Sequence, residues 1–422
     1  MTEKRIGKYL PVLKRHSAIL SVAVICALIL CNFTEDISTD IIKASYSGIV
    51  KRDDNLILVD ESGIPTVDYG YVEGVYIGKQ KNPVTTSQKG LSYHYYYQKG
   101  DESARQLFLN CADWLVDNAV SYDNYSLLEY DFQWPKYDMT SPWRSSMAQG
   151  QALQVLIAAD ALTGDEKYLD CAKSLLNSFF VEVADGGVTY KSERDGWWYE
   201  EYADEGGKES RVLNGMMFAV LGIYDYYEYT GDEDALFLFN QGVTSLERNI
   251  HRYDNNGDSY YDILGNPSLH YHSAHIYLLD RLYTITNIDT FKEYRDKWEN
   301  YEDHPFTVQL FLSPTKMRLA IFAGNLIAIF LALEFSILVL RKGKKLAQKR
   351  QKGTQKEKTS PGNTVYSAEF IHPDSVFESI AILRKPVEGP ANLAYMYDVD
   401  ETGYDNVLTG SDLALDITYE ND

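Results

Sequence analysis

Residues 163–180 read TGDEKYLDCAKSLLNSFF, and the same turn stands in two further places, KGDESARQLFLNCADWLV from Lys99 and TGDEDALFLFNQGVTSLE from Thr230. In each, Gly-Asp-Glu separates two stretches with helical spacing. A glycine ends the incoming helix in the left-handed conformation, an aspartate sits at the start of the next, and a glutamate in its first turn suits the positive end of the helix dipole. The device recurs at spacings of 64 and 67 residues. A degenerate fourth copy is TITNIDTFKEYRDKWENY from Thr284, with Asn287 and Asp289 in the turn. Such a period holds a helix pair plus a long connection. The expected fold is therefore mainly α: an α/α toroid, an incomplete barrel of helical hairpins packed in sequence. Ala148, Ala152, Val155, Leu156 and Ala159 share one helical face, and Val212, Met216, Phe218, Val220, Ile223 and Tyr227 follow less cleanly. Cys111 and Cys171 hold the same slot of consecutive repeats, which reads as small core packing rather than a disulfide.

Long connections carry the unusual residues. VADGGVTYKSERDGWWYEEYADEGGKES and HRYDNNGDSYYDILGNPSLHYHSAH place turn signals around short aromatic runs, so β-hairpin loops at one rim are expected. The Tyr- and Gly-rich stretch 63–91 reads as strands or a flap over the same rim.

The chain has 422 residues and a formal charge of −21, with 34 Tyr against 16 Phe. That balance excludes a general nucleic-acid binder, and the tyrosine excess suits positions that meet a polar ligand. Ser17 to Phe33 and Leu319 to Leu340 are apolar runs, the first preceded and the second followed by Lys and Arg. The expected organisation is a cytoplasmic basic N-terminus (1–16), a transmembrane anchor rather than a cleaved signal peptide (17–33), an extracytoplasmic lead-in (34–100), the helical domain (101–305), a second transmembrane helix (319–340) and a mostly disordered cytoplasmic tail (341–422). Two spans place both termini in the cytoplasm and the catalytic domain outside it. Glu334, inside the second run, is expected to snorkel or pair with a following lysine.

Three constellations carry chemistry: Glu200, Glu201 and Tyr202; Tyr260, Tyr261 and Asp262; and Tyr271, His272 and His275. Carboxylate, phenol and imidazole at one rim suit removal of a proton from carbon beside a carboxylate and its return, or elimination. A carboxylate among aromatic faces has a raised pKa, and an aromatic wall, here with Trp198, is what a sugar ring stacks on. The adjacent glutamates also read as one solvated acid and one buried one. Tyr260 and Tyr261 alternate along a strand, so one of them faces the site. His272 and His275 lack a third ligand fixed by spacing, and the run from Asp254 to Asp262 reads as an Asx-rich turn rather than a calcium loop, so no metal is expected.

Together PWRSSMAQGQALQVL from Pro142, WYEEY from Trp198, SRVLNGMMFAVLGIYDYYEYTG from Ser210, YYDI from Tyr260 and YHSAH from Tyr271 resemble the C-terminal domain of the D-glucuronyl C5-epimerases, in order and approximate spacing. The resemblance implies an α/α-barrel-like domain that inverts carbon 5 of glucuronic acid in a polysaccharide to give iduronic acid, as in heparan sulfate and heparosan, with no redox cofactor. It also implies homodimers. By resemblance Glu201 and Tyr271 carry the proton on opposite faces of the ring, with Tyr202 and Tyr261 orienting or assisting. Trp143, Arg144, Gln149, Trp198, Asn214, His272 and His275 become contacts or supports, Arg144 as a fork for the uronate carboxylate. The partner would be a glucuronate-containing polysaccharide or surface glycan, and Lys191, Arg194, Lys208 or Arg211 would have to offset the acidic surface. Rival readings are a polysaccharide lyase that shares the first proton abstraction, a silent glycan-binding protein, and a glycoside hydrolase.

Overall fold

The computed structural model describes residues 3–49, 56–268 and 271–357; of the tail expected to be mostly disordered (341–422), residues 341–357 instead continue the last helix, and the rest lies outside the described residues. Among the described residues eleven α-helices follow in order: α1 (Glu3–Ile49), α2 (Pro83–Gln98), α3 (Glu102–Asn118), α4 (Ser146–Thr163), α5 (Glu166–Asn177), α6 (Leu213–Thr230), α7 (Glu233–Asn249), α8 (Tyr271–Thr286), α9 (Asp289–Glu302), α10 (Phe306–Leu312) and α11 (Lys316–Glu357). Two compact units divide them, one built on α1 and α11 and the other on the helices between.

In the second unit α2/α3, α4/α5, α6/α7 and α8/α9 are antiparallel hairpins. Helices α2, α4, α6 and α8 pack on one another in series as an inner row, each backed by its outer partner; among the described residues no comparable contact between α8 and α2 closes the ring. This is the open series of hairpins expected, with one correction. Its first inner helix begins at Pro83, so the helical domain starts within what reads as a lead-in, because Asn82 caps α2 by accepting from the Val84 and Thr85 amides and Pro83 occupies the first helical position.

The repeated turn is built as its residues dictate. Gly164 and Gly231 close α4 and α6 in the left-handed conformation (φ 67° and 68°), and Asp165 and Asp232 cap α5 and α7 by accepting from Lys167 and from Asp234 and Ala235 amides. Gly100 is likewise at φ 99°, with Asp101 accepting from Ser103. In the degenerate copy Asn287 takes the glycine's place at φ 52°, and Asp289 stands in the first turn of α9 without capping it. A threonine adds to the last three copies: Thr163, Thr230 and Thr286 each donate back to a carbonyl four residues earlier and accept from the amide two residues on.

These tight turns join inner to outer helix. The long connections 119–145, 178–212 and 250–270 all return from an outer to an inner helix and therefore emerge together at the opposite end. They carry short antiparallel pairs: Ser126–Tyr130 with Ala119–Ser121 and with Trp143–Arg144, Thr189–Tyr190 with Trp198–Tyr199, and Asp254–Asn255 with Asp258–Ser259. The last is a two-residue hairpin whose Asn256 and Gly257 both have positive φ (55° and 102°). Upstream, Leu56–Val59, Pro65–Asp68 and Lys79–Gln80 form a small sheet and Tyr71–Val72 pairs with Val75–Tyr76. Val72 and Val75 pack on the same aromatic cluster as Tyr202, as a flap over this rim. All four cysteines are free, Cys111 fully buried and Cys171 half-buried.

The inner row depends on one close approach. A Cβ on Gly150 of α4 would lie 2.6 Å from the Ala219 Cα, and one on Gly222 of α6 would lie 2.1 Å from the Gly150 carbonyl oxygen. Backbone meets backbone there, and almost every residue of α4 from Ser146 to Ala159 is buried.

The first unit holds two helical segments long and apolar enough to cross a membrane, Lys14–Glu35 and Lys316–Gln348. Polar contacts tie α1 to α11 antiparallel: Arg15 and His16 meet Glu334, and Thr34 and Ser38 meet Asn325. Glu334 thus pairs with the opposite helix rather than with a following lysine, because Arg15 sits 3.5 Å away at the same level. Along α1 Ala23, Ala27 and Cys31 form the fully buried stripe.

Gly150→Ala and Gly222→Ala should each destabilise the domain by about 1–3 kcal/mol through overpacking. Thermal unfolding of the full chain in detergent micelles checks this; an unchanged midpoint would show that the α4/α6 crossing yields.

Candidate active site

Just past the 189–199 hairpin, the chain from Glu200 to Ala203 is clamped from both sides. The Glu200 amide donates to the Val188 carbonyl, its carbonyl accepts from Ser146, and Ala203 exchanges both backbone hydrogen bonds with Arg144. Glu200 itself is fully buried and accepts from the Ser210 hydroxyl (2.9 Å), the Arg211 amide (2.9 Å) and the Tyr202 amide (3.3 Å). Arg211 presents its amide from a left-handed conformation (φ 45°), and its carbonyl accepts from the Tyr253 phenol at 2.6 Å.

With Glu200 fixed, Glu201 turns toward the start of α6. Its Oε2 would lie 2.1 Å from a Cβ on Gly215, so only glycine leaves room for the carboxyl there. The sequence supplies a second route to the same spot: the Leu213 amide donates to the Tyr261 carbonyl at 3.0 Å, and the Ile263 amide donates to that of Ser210, bringing the second aromatic loop onto the first turn of α6. The Tyr202 and Tyr261 phenols stand near enough to the Glu201 carboxyl to favour its charged form. Tyr271, the first residue of α8, packs its ring 5.0 Å from that of Tyr261. Glu201 and Tyr202 of one connection therefore meet Tyr261 of the next and Tyr271, the first residue of the helix that follows it, at one place. Tyr202 is stacked among Trp134, Tyr137 and Trp143.

Electrostatics follow from burial. Glu201 is pushed up to about 8, by desolvation first and by neighbouring Glu200 second, while the phenols and Lys136 oppose the rise. Burial raises Glu200 less, to about 7, because its three donors favour the charged form. Glu200, held by three donors, thus keeps its charge more readily than Glu201 does. The Tyr202 and Tyr261 phenols are pushed well up by burial and by Glu201, and stay protonated. Glu201 Oε2, which lies against Gly215, and Oδ1 of the preceding Asn214 are both buried without a protein partner. Buried polar atoms are normally satisfied, and orphans at one place mark where a ligand's groups belong.

Other expected contacts are placed differently. Both glutamates are buried, so neither is the solvated acid. Trp198, 1% exposed, stacks on Tyr253 inside the core, since its hairpin alternates and both Trp198 and Tyr199 are covered by α7. Gln149 exchanges hydrogen bonds with the Leu128 amide and carbonyl, pinning a strand to α4. Arg144 ion-pairs with Glu129 (3.7 Å) and Glu205 (3.2 Å) and is not an open fork. Trp143 donates to the Phe132 carbonyl and stacks on Tyr130, reaching the site only through its contact with Tyr202. His272 and His275 share the Ser259 hydroxyl, each at 2.8 Å, and face α9 rather than the glutamate. Ser259's amide and the Asp258 carboxylate (3.4 Å) both lie at His272 Nδ1, and Trp298's carbonyl lies 3.3 Å from Nε2. Among the described residues no cluster could hold a metal ion. Asp262 accepts from Tyr137 and Asn266 and is a structural anchor.

Two residues bearing on the site were not evident from sequence. Gly215 sits inside a helical pattern with nothing to mark the carboxyl it admits. Lys136 stands between Trp134 and Tyr137 in an aromatic run, a local signal, but its approach to Tyr261 is a tertiary event: its Nζ lies 5.0 Å over the Tyr261 ring.

Comparison with known proteins places this geometry in a class. The sequence profile described as D-glucuronyl C5-epimerase C-terminus matches residues 122–300. An uncharacterized protein of Methanocaldococcus jannaschii is 32% identical over 262 residues, covering 57% of this chain and 83% of that one. The D-glucuronyl C5-epimerase of Caenorhabditis elegans is 30% identical over 290 residues, covering 64% of this chain, which spans only 44% of that enzyme's length. Among solved structures, a sugar epimerase from a ruminal bacterium aligns with TM-score 0.42 at 16% identity, covering 68% of this chain and 74% of that one. The cellobiose 2-epimerase of Bacillus thermoamylovorans aligns with TM-score 0.38 at 12% identity, covering 54% and 63%. The chain is thus of the carbohydrate-epimerase class. It belongs to the D-glucuronyl C5-epimerase C-terminus family.

Glu200→Ala should leave the Arg211 amide and Ser210 hydroxyl buried without an acceptor and cost about 1–3 kcal/mol. Thermal unfolding in micelles measures it; an unchanged midpoint would mean Glu200 holds nothing together.

Proposed function

We propose that the protein is a membrane-tethered glucuronate C5-epimerase that converts D-glucuronic acid to L-iduronic acid residues within a polysaccharide, with its catalytic domain outside the cytoplasm. The observation that carries the reading is Glu201: a buried carboxyl with one orphan oxygen, two phenols near it, and a pKa moved to about 8.

Ionised Glu201 takes the carbon-5 proton. The C–H bond breaks, its electron pair moves into the uronate carboxylate as an enediolate, and the Tyr271 phenol delivers a proton to the other face of carbon 5. Running in reverse, tyrosinate takes the proton and protonated Glu201 returns one. Nothing is oxidised or reduced. Tyr202 and Tyr261, kept neutral by burial, donate to the charge that develops. A carboxyl that titrates near neutrality is available in both forms, as a reversible exchange requires. The two apolar helical segments support tethering, and basic residues such as Lys14 and Arg15 before the first and Lys344 and Lys345 late in the second support cytoplasmic ends.

Proton NMR of the full chain in micelles with heparosan in heavy water tests this. Deuterium should enter at carbon 5 with iduronate signals and no alkene, and Glu201→Gln or Tyr271→Phe should reduce it by at least about 10²-fold. The step in which Glu201 is the base should speed up as pH rises through about 8. Alkene signals would make it a lyase instead, and no exchange with any glucuronan would overturn the reading.

A further inference from the structure

Proton abstraction beside a carboxylate places negative charge on that carboxylate, and a buried acid such as Glu201 adds to the burden. A cation must meet it. The cations of this rim are mostly engaged: Arg144 with Glu129 and Glu205, Lys208 with Asp138 at 2.7 Å, Arg194 with Asp195, and Arg211 with Glu209. Lys191 lies over Trp197, on the far strand of its hairpin. None of the positive track expected from sequence reaches the four convergent residues.

Lys136 does. It sits in the single helical turn Pro135–Tyr137, exposed, and forms no ion pair among the described residues. Its Nζ lies 5.0 Å above the Tyr261 ring and 5.2 Å above the Tyr137 ring. The turn is fixed on both sides, because Tyr137 donates to buried Asp262 at 2.8 Å and the Lys208 amide donates to the Tyr137 carbonyl. The neighbouring Trp134 ring lies parallel to Tyr202, and its buried Nε1 has no partner. The backbone of this turn is therefore built, while the lysine's head rests on ring faces, which hold a cation less firmly than a carboxylate does.

We infer that Lys136 binds the uronate carboxylate of the sugar being processed and makes the site select uronates over neutral hexoses. The inference rests on the epimerase reading. Lys136 rests on Tyr261 in the free protein and moves to the carboxylate when a sugar binds at the four convergent residues. There it serves as a point charge on a flexible stem, so it can follow the carboxylate as the carbon beside it flattens. Its charge also reaches Glu201, whose proton it helps to release.

Lys136→Met, Lys136→Gln and Lys136→Arg in the full chain, with heparosan oligosaccharides and their methyl esters, test this. For the free acid, Lys136→Met should lower the kcat/KM of carbon-5 exchange roughly 10²-fold, with Lys136→Arg partly restoring it. The pH limb of Glu201 should move upward in Lys136→Met and Lys136→Gln, a change that loss of mere packing would not produce. Calorimetric affinity for the free acid should fall in Lys136→Met while affinity for the ester is unchanged. Wild-type exchange with full activity in Lys136→Met would overturn the assignment and leave the epimerase standing. An inert wild type that binds the acid in a Lys136-dependent way would overturn the epimerase and keep the assignment; binding equal in wild type and Lys136→Met would overturn it.

Discussion

Glu200, a carboxylate with no exposure, is what the site hangs on. It ties the end of one hairpin to the approach to α6 through Tyr202, Ser210 and Arg211, and those donors decide where its neighbour points. The chain bends at Glu201 and Tyr202, so that with Glu200 anchored Glu201 lies against Gly215. The same anchor loads Glu201 electrostatically, since one buried charge raises the cost of a second beside it. Position thus comes from this anchor, and protonation from burial first and from the anchor's charge second.

The scaffold explains why three loops can cooperate. Inner helices that cross as closely as Gly150 and Gly222 hold their N-terminal ends in a fixed row, and each long connection arrives at that row. Tyr261 is set by a backbone bond to Leu213, and Tyr271 by being the first residue of α8. None of the four central side chains depends on a free loop for its place.

Much of this was legible in the sequence for a physical reason. Helix ends are local, so Gly-Asp-Glu turns declare themselves, even when asparagine replaces glycine as at Asn287. Convergence of Glu201, Tyr202, Tyr261 and Tyr271 followed from resemblance and from loops sharing a rim. Roles of the surrounding residues did not, because residue type says nothing of orientation. Trp198 and Gln149 look like ligand contacts and serve the core; Arg144 looks like an open fork and meets two glutamates; the histidines look like chemistry and share a serine with each other. The first inner helix was hidden because tyrosines at Tyr93, Tyr95, Tyr96 and Tyr97 blur its apolar face. Glu334 looked toward its own helix and found Arg15 and His16 of another.

The central claim is that Glu201 is a buried acid poised near neutrality. Carbon-13 NMR of the full chain labelled at glutamate carboxyls, with the signal assigned by its loss in Glu201→Gln, measures it directly. A midpoint near 8 that falls in Glu200→Gln is the result this account predicts. A carboxyl already ionised in the ordinary glutamate range, indifferent to Glu200, would contradict it.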